Sequence, residues 1–193
     1  MTMSPGGSRP LDDAEIVERA RQGDTAAYEE LVRRHQEIAI RIAYVTTRDE
    51  EAAKDATQAA FIKAYYGLTT FRPGAPFRPW LLKIVANEAR NSVRSAHRRS
   101  GYELRLAAGR PPDDAAPSAE GAVMAGLDRQ MLLRAVSCLP QRDQEVIAYR
   151  YFLDLSEVEM AAALGCKQGT VKSRLSRALG RLREILRDER PAL

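Results

Sequence analysis

The fold of this chain is decided by residues 156–186, which read SEVEMAAALGCKQGTVKSRLSRALGRLREIL. Ser156 and Glu159 have the spacing of a capping box, in which each side chain bonds the backbone amide of the other residue at the start of a helix. The following turn is rich in alanine, which allows another helix to approach closely, and Gly165 predicts the end of the helix. The stretch therefore predicts a short helix, a tight turn and a second helix.

The second helix, predicted over Gln168–Leu186, is amphipathic. Its apolar side chains recur at helical spacing, and basic and hydroxyl side chains occupy the other sides. A short helix, a glycine turn and a basic amphipathic helix form a helix-turn-helix, whose second helix enters the DNA major groove. The alternative is a plain helical hairpin with a solvated basic face. The residues predicted to contact DNA are Lys167, Thr170, Lys172, Ser173, Arg174, Ser176, Arg177 and Arg181.

The rest of the chain also shows helical periodicity, with almost no strand pattern. We predict an all-α protein of two small helical domains, a four-helix domain over 12–100 and a helix-turn-helix domain over 124–188. Residues 1–11 are predicted to be a disordered N-terminus. Residues 101–123 contain few bulky apolar side chains in their central part and predict a flexible, locally acidic linker.

The charge distribution points to a polyanionic partner. The 193 residues carry a formal net charge of +4, yet segments 78–105 and 166–187 each hold seven basic residues against two acids and one acid, respectively. The remainder is net acidic. Two separated basic stripes suggest a polyanion contacted at two places, although two solvated helix faces would give the same pattern.

Several classes of protein are disfavoured. Two cysteines, Cys138 and Cys166, and two histidines lack metal-site spacing, and no phosphate-binding loop or nucleophile–base pair is evident. We therefore expect no enzyme activity, no metal and no cofactor. With no apolar run of membrane-spanning length and no signal-peptide core, we expect a soluble, cytoplasmic protein without membrane insertion.

The fourth predicted helix, from about Trp80 to Arg98, carries a polar stripe opposite its apolar face. Amides can bond base edges and arginines can hold phosphates. A stiff loop rich in proline, 71–79, precedes this helix and is predicted to be neither helix nor strand. Trp80 could stack on a base, or it could belong to the core. The candidate nucleic-acid contacts are Phe71, Trp80, Lys83, Asn87, Arg90, Asn91 and Arg94.

Three stretches in order resemble the extracytoplasmic-function (ECF) type of the sigma-70 family of bacterial RNA polymerase sigma factors. They are DATQAAF at 55–61, FRPWLLKIVANEARN at 77–91, and the segment from 139 to 177. The resemblance covers about 12–100 and 125–187. It implies a factor that binds core RNA polymerase, melts the −10 promoter element with the first domain and reads the −35 element with the second.

The resemblance also implies partners. Asp55, Gln58 and Ile62 share one helix face, and with Phe61 they would bind the clamp helices of the polymerase β′ subunit; Phe61 lies between faces and could instead be core. The family also implies contact with the β subunit, regulation by an anti-sigma factor and base capture by the 71–80 loop. We also hypothesise that the acidic linker occupies the RNA path of the polymerase.

A conventional DNA-binding regulator with a sensing or dimerising first domain is the main alternative. It accounts for the helix-turn-helix but gives no role to the stripe on the fourth helix or to the face of Asp55 and Gln58. A gel shift distinguishes the two readings, because a repressor binds duplex operator alone, whereas a factor of this family is expected to need core polymerase.

Overall fold

The computed structural model describes residues 12–106 and 125–188, and side chains over 12–98 and 130–188. The N-terminus predicted to be disordered and most of the predicted linker, with the hypothesis that it enters the RNA path, lie outside the described residues. Every regular element in the described ranges is helical, which confirms the all-α prediction.

The N-terminal domain contains the first four α-helices. These are α1 Asp13–Arg21, α2 Thr25–Thr47, α3 Glu50–Gly67 and α4 Phe77–Leu106, with a 3₁₀ turn at Leu68–Thr70. Aspartates begin three of them: the side chains of Asp12, Asp24 and Asp49 each accept a hydrogen bond from an amide three residues later. Arg48, with φ of 56°, ends α2 in the left-handed conformation.

The C-terminal domain contains the remaining helices. They are α5 Ala125–Ser137, α6 Gln141–Ile147, which continues into a π-helical turn at Ala148–Phe152, α7 Glu157–Leu164 and α8 Gln168–Asp188. Helix α8 packs on α5, α6 and α7, so its apolar face closes the core of this domain.

Helix α4 is longer at both ends than predicted. It begins at Phe77 and not near Trp80, so the prediction that Pro79 lies outside the helix was wrong. Proline is tolerated there because the amides of a first helical turn have no intrahelical acceptor. At the other end α4 continues to Leu106, into the segment predicted as linker.

Helix α4 also lies at the centre of the whole molecule. It packs against α2 and α3 of its own domain and against α7 of the C-terminal domain. The apolar periodicity predicted an inward face with Trp80, Leu81, Ile84, Val85 and Ala89. Leu81, Val85 and Ala89 are fully buried, whereas Trp80 and Ile84 are half-buried. Leu82 and Ala86 are fully buried as well, because helices of both domains surround α4.

The two domains share one continuous apolar core. Polar contacts accompany it: Gln141 Nε2 donates to the backbone oxygen of Thr46 over 3.0 Å, and Arg48 donates to the side-chain oxygen of Gln144. This packing of one domain on the other was not predicted from the sequence. Among the described residues, no helix is both long and apolar enough to cross a membrane.

Candidate nucleic-acid interface

The helix-turn-helix begins with the capping box that the sequence predicted. The Glu159 amide donates to Ser156 Oγ over 3.3 Å, and the Ser156 amide donates to Glu159 Oε2 over 2.8 Å. Gly165 ends α7 with φ of 64°, a left-handed conformation that a side chain would strain. Only Cys166 and Lys167 then separate Gly165 from the first residue of α8. The sharp turn sets the direction in which α8 projects.

Helix α8 buries its apolar face and exposes most of the side chains predicted to contact DNA. Val171, Ala178 and Leu182 are buried. The exposed members of the predicted set are Lys167, Lys172, Ser173, Ser176, Arg177 and Arg181, whereas Thr170 and Arg174 are half-buried. Lys172, Ser173, Ser176 and Arg177 lie at helical spacing, so they form one continuous polar face, named here the α8 face.

Contacts on the α8 face are weak and local. Ser173 Oγ donates to the Thr170 backbone oxygen over 3.0 Å, and Arg177 Nε donates to the Ser173 backbone oxygen over 3.1 Å. Lys172 Nζ lies 3.6 Å from Glu157 Oε1, and both side chains are well exposed. Exposed contacts of this kind contribute little stability. These side chains can therefore exchange them for contacts with a ligand at little cost.

Arg181 has a different environment from the rest of the predicted set. Its guanidinium is ion-paired with Asp143 on α6, whose side chain is only 12% exposed. The pair joins the distal part of α8 to α6. Arg181 is thus held by the domain's own structure, an arrangement that periodicity within α8 alone did not reveal.

The polar stripe predicted on α4 is present on the surface. Lys83, Asn87, Asn91 and Arg94 are exposed and Arg90 is half-buried; these five residues are named here the α4 stripe. Arg90 Nη1 donates to Asn87 Oδ1 over 3.0 Å, and Arg94 Nη2 donates to Asn91 Oδ1 over 2.8 Å. The stripe therefore presents paired amide and guanidinium groups in two successive turns.

The packing of the domains brings the α4 stripe close to the helix-turn-helix. Arg90 also donates a hydrogen bond to the backbone oxygen of Ala163 near the end of α7. Lys83 lines a cleft together with Gly165, Cys166 and Lys167. Lys83 of the α4 stripe and the turn of the helix-turn-helix thus line the same cleft.

Three aromatic side chains form a cluster where the 71–79 loop meets α4. Phe71 and Phe77 are buried and Trp80 is half-buried. The ring centroids of Phe71 and Trp80 are 4.7 Å apart, and those of Phe77 and Trp80 are 5.6 Å apart. Gly67 lies beneath Trp80, and a Cβ there would be 3.1 Å from the indole. These contacts favour the reading of Trp80 as core, and Phe71 supports the loop from below.

The loop between the two phenylalanines forms a tight turn. The Ala75 amide donates to the Arg72 backbone oxygen over 3.1 Å, and Gly74 has φ of 72°. Proline at the second position and glycine with positive φ at the third are typical of a type II turn. The turn is mostly exposed, so it can meet a ligand while its two ends remain buried.

The predicted polymerase-binding residues divide into surface and core. Asp55, Gln58 and Ile62 are exposed on one face of α3, whereas Phe61 is 7% exposed and belongs to the core. The Phe61 side chain nevertheless reaches the floor of a surface groove of about 450 Å³. The residues around the groove come from α2 and α3: Tyr28, Val32, Gln36, Ile40, Lys54, Thr57, Gln58, Phe61, Ile62, Tyr65 and Tyr66.

Two exposed tyrosines of this groove were not among the residues predicted to bind polymerase. Tyr65 is 38% and Tyr66 is 73% exposed, at the end of α3. Their adjacent positions at the end of an amphipathic helix were the feature of the sequence that could have indicated an exposed aromatic pair. Tyr28 closes the groove by donating its hydroxyl proton to the Phe61 backbone oxygen. Burial raises the pKa of Tyr28, which keeps it protonated as a donor.

Family models match both domains. Residues 31–99 match sigma-70 region 2, and residues 129–182 match sigma-70 region 4. The first match covers α3 and the α4 stripe, and the second covers α7 and α8 as far as Leu182.

Curated proteins match over most of their length. The chain is 34% identical over 181 residues to the ECF RNA polymerase sigma-E factor of Escherichia coli, covering 89% of this chain and 92% of the relative. It is 32% identical over 181 residues to the ECF RNA polymerase sigma factor SigM of Mycobacterium tuberculosis, covering 94% and 88%.

Solved structures of two complexes contain similar chains. One is CnrH in complex with the cytosolic domain of CnrY, with a TM-score of 0.64 and 25% identity over 92% of this chain and 99% of the other. The second is the sigma factor RpoE in complex with the anti-sigma factor NepR from Bartonella quintana, with a TM-score of 0.57 and 28% identity over 84% and 99%.

Proposed function

The chain belongs to the ECF type of the sigma-70 family of RNA polymerase sigma factors, and from that membership we propose how its residues divide the work of promoter recognition. The observation that carries the proposal is the presence of two polar, basic helix faces, the α4 stripe and the α8 face, on separate domains of one chain. Each face can contact DNA, and two faces can contact two promoter elements.

The α8 face reads the −35 element. An α-helix fits the major groove, and the amino-terminal residues of the second helix of a helix-turn-helix reach the base edges. Lys172, Ser173, Ser176 and Arg177 occupy that part of α8 and are exposed. Lys167 and Thr170, beside the start of the helix, hold the phosphate backbone. Arg174, half-buried, borders the face.

The α4 stripe and the loop before it engage the −10 element as it melts. Asn87 and Asn91 supply amides for base edges, and Arg90, Arg94 and Lys83 supply charge for phosphates. Extracting a base from its stack costs a few kcal/mol, which contacts between the base and a preorganised protein surface must offset. The type II turn over the aromatic cluster is such a surface, and Phe71 and Trp80 act by supporting it.

The groove between α2 and α3 binds core polymerase. Ile62 is 52% exposed and Tyr66 is 73% exposed, beside the polar side chains of Gln58 and Asp55. Exposed apolar side chains ringed by polar groups mark protein-binding surfaces. We assign the β′ clamp helices to this groove, with Phe61 beneath it, and a contact with the β subunit to the C-terminal domain.

The chain acts as an initiation factor without catalytic chemistry of its own, since the reaction belongs to the polymerase. Regulation by an anti-sigma factor is supported by the similar chain of Bartonella quintana, which was solved with its anti-sigma factor NepR. Such a partner would cover surfaces that the polymerase and promoter need.

Run-off transcription with purified core RNA polymerase tests this function. The chain plus core is expected to start transcripts at defined sites on genomic fragments, whereas core alone is not. Mapping those sites should reveal shared sequence elements near −10 and −35. Tight binding of duplex DNA by the chain alone, with no start sites in the presence of core, would instead identify a conventional regulator.

A further inference from the structure

Glu88 is an acidic side chain beside the α4 stripe, a surface that otherwise carries basic and amide groups. It lies one residue after Asn87 and three residues before Asn91, and its side chain is only 14% exposed. A carboxylate at this place opposes the phosphate binding proposed for the basic members of the stripe, because like charges repel. The function proposed above gives Glu88 no role.

A lysine on the neighbouring helix α3 holds the Glu88 carboxylate in place. Lys63 Nζ donates to Glu88 Oε1 over 2.7 Å, and the Lys63 side chain is 58% exposed. Helices α3 and α4 pack closely against each other, so this bond ties the carboxylate to a second helix of the same domain. The positive charge of Lys63 also offsets the repulsion between Glu88 and a nearby phosphate. The carboxylate is therefore compatible with a DNA-binding surface.

The same carboxylate oxygen accepts a hydrogen bond from Asn91 in the α4 stripe. Asn91 Nδ2 donates to Glu88 Oε1 over 3.4 Å, which is long, and Asn91 Oδ1 accepts from Arg94 Nη2 over 2.8 Å. The amide nitrogen only donates and the amide oxygen only accepts. Rotation of the amide by 180° would turn its oxygen toward the Glu88 carboxylate and its nitrogen toward the Arg94 guanidinium. Both contacts would be repulsive, so the neighbours on both sides fix the orientation of the amide.

The contact with Glu88 matters most when DNA is bound. Arg94 is exposed, and its guanidinium is proposed to hold a phosphate, which draws it away from Asn91. Glu88 stays in place because Lys63 holds it from α3. An asparagine bonds adenine through one donor and one acceptor together, and the reversed amide no longer matches the same base edge. The orientation of the Asn91 amide therefore decides which base it accepts.

Asn87, one turn earlier on α4, provides an internal comparison. Its oxygen accepts from Arg90 Nη1 over 3.0 Å, and its nitrogen donates to no side chain among the residues that the structure describes. A carboxylate partner on the nitrogen thus distinguishes Asn91 from Asn87, although both lie on the same stripe.

From these contacts we propose that Glu88 is a positioning residue for −10 recognition. It fixes the Asn91 amide with the nitrogen toward the carboxylate, and it thereby sets the base preference at the −10 position that Asn91 contacts. The proposal rests on the −10 contact proposed for the α4 stripe. Glu88 itself contacts no base and acts through Asn91.

Base preference along the −10 element is the measurement that tests this role. A promoter library with a randomised −10 element, each template carrying a barcode in its transcribed region, is transcribed by core polymerase with each variant. Asn91→Ala identifies the position that Asn91 contacts, with an expected loss of preference of roughly five- to a hundredfold, the range for one good contact between a side chain and a base. Glu88→Ala should lower the preference several-fold at the same position. The position that Asn87→Ala identifies should keep its preference in Glu88→Ala.

Further variants separate positioning from a structural role. Glu88→Gln keeps an oxygen that can accept from Lys63 and Asn91, so it should retain the parent preference. Glu88→Ala combined with Asn91→Ala should lose no more at that position than Asn91→Ala alone, because residues that act through one contact are not additive. Glu18→Ala removes an exposed, ion-paired glutamate of α1 and is the control for loss of a surface charge; its preference should equal that of the parent chain.

Four results would overturn the positioning role. They are an unchanged preference in Glu88→Ala, an equal loss at every −10 position, a loss in Glu88→Gln as large as in Glu88→Ala, and an additional loss in the double variant. If Asn91→Ala changes nothing while the parent chain still prefers particular −10 bases, the contact assigned to Asn91 is wrong and the positioning role is overturned with it. A parent chain that starts transcripts without any −10 preference, or starts none, would overturn the proposed function itself.

Discussion

Arg181 on α8 is ion-paired with Asp143 on α6, and the carboxylate is almost entirely buried. The pair joins the distal half of the helix proposed to read the −35 element to the body of its own domain. Helix α8 therefore carries arginines of two kinds: those that stabilise the domain through an ion pair and those that point into solvent.

Arg181→Ala is therefore expected to destabilise the C-terminal domain. Removal of the guanidinium leaves the buried Asp143 carboxylate without its ion-pair partner, which costs about 1–2 kcal/mol; the half-exposed position of Arg181 keeps the effect at the lower end. Thermal unfolding followed by circular dichroism measures it. The double variant Arg181→Ala, Asp143→Ala should recover part of the loss, and an unchanged melting temperature in the single variant would contradict the structural role.

Arg177→Ala is expected to weaken DNA binding without destabilising the domain. Arg177 is exposed and bonds only its own helix backbone in the described structure, so the melting temperature should not change. Binding to the −35 element should weaken by about 1–3 kcal/mol if Arg177 reaches a base edge. Transcription from a promoter series with changed −35 bases measures this, with Arg183→Ala, also exposed on α8, as the control. Equal activity of Arg177→Ala on every promoter would refute the assignment.

Asn87→Ala tests the α4 stripe. The side chain is exposed, and its oxygen accepts from Arg90, so we expect impaired promoter melting with normal binding to core polymerase. Reactivity of −10 thymines to permanganate reports melting, and gel filtration with core reports binding. A template with an unpaired −10 region should restore transcription by the variant. Loss of core binding would show that Asn87 has a structural role instead.

Glu145 gives the interface between the domains a pH dependence. Burial raises the pKa of the Glu145 carboxyl, and this effect outweighs the opposing attraction of Arg90. The Gln141 side chain, Arg142 and Arg48 also lower the pKa of Glu145. Burial, together with the charge of Glu145, raises the pKa of the neighbouring Tyr149 hydroxyl to about 12.

Because the folded chain binds this proton more tightly than the unfolded chain, the protonated carboxyl stabilises the fold at acid pH. The contribution is complete below the ordinary glutamate pKa and is lost as the pH rises through the raised value. Glu145→Gln does not titrate, so it should raise the melting temperature at pH 7 and lose that advantage near pH 4. The exposed Glu184→Gln is the control. A gain of equal size at both pH values would contradict the shift.

Local chemistry made much of this structure predictable. The capping box of Ser156 and Glu159, the turn at Gly165 and the amphipathic α8 are all encoded within a few residues, and the structure confirms them. Proline was a poorer guide: the rule that it ends helices does not apply in a first turn, which is where Pro79 lies.

Features that depend on distant residues were not predictable. Nothing within α8 distinguishes Arg181 from Arg177, since only the fold brings Asp143 against one of them. The burial of Leu82 and Ala86 and the bond between Arg90 and Ala163 likewise depend on the two domains packing together. The sequence of one helix shows which of its faces is polar or apolar. It does not show which helix, far along the chain, packs against that face.

The loop before α4 has a consequence for how such proteins diversify. Its tip, Arg72 to Pro76, is mostly exposed, while Phe71 and Phe77 bury the two ends. Residues of the tip can therefore be exchanged while the aromatic anchors stay buried, provided that position 74 keeps a residue that tolerates a positive φ. Under the −10 contact proposed for this loop, replacement of the tip alone would change promoter preference without a compensating change in the core.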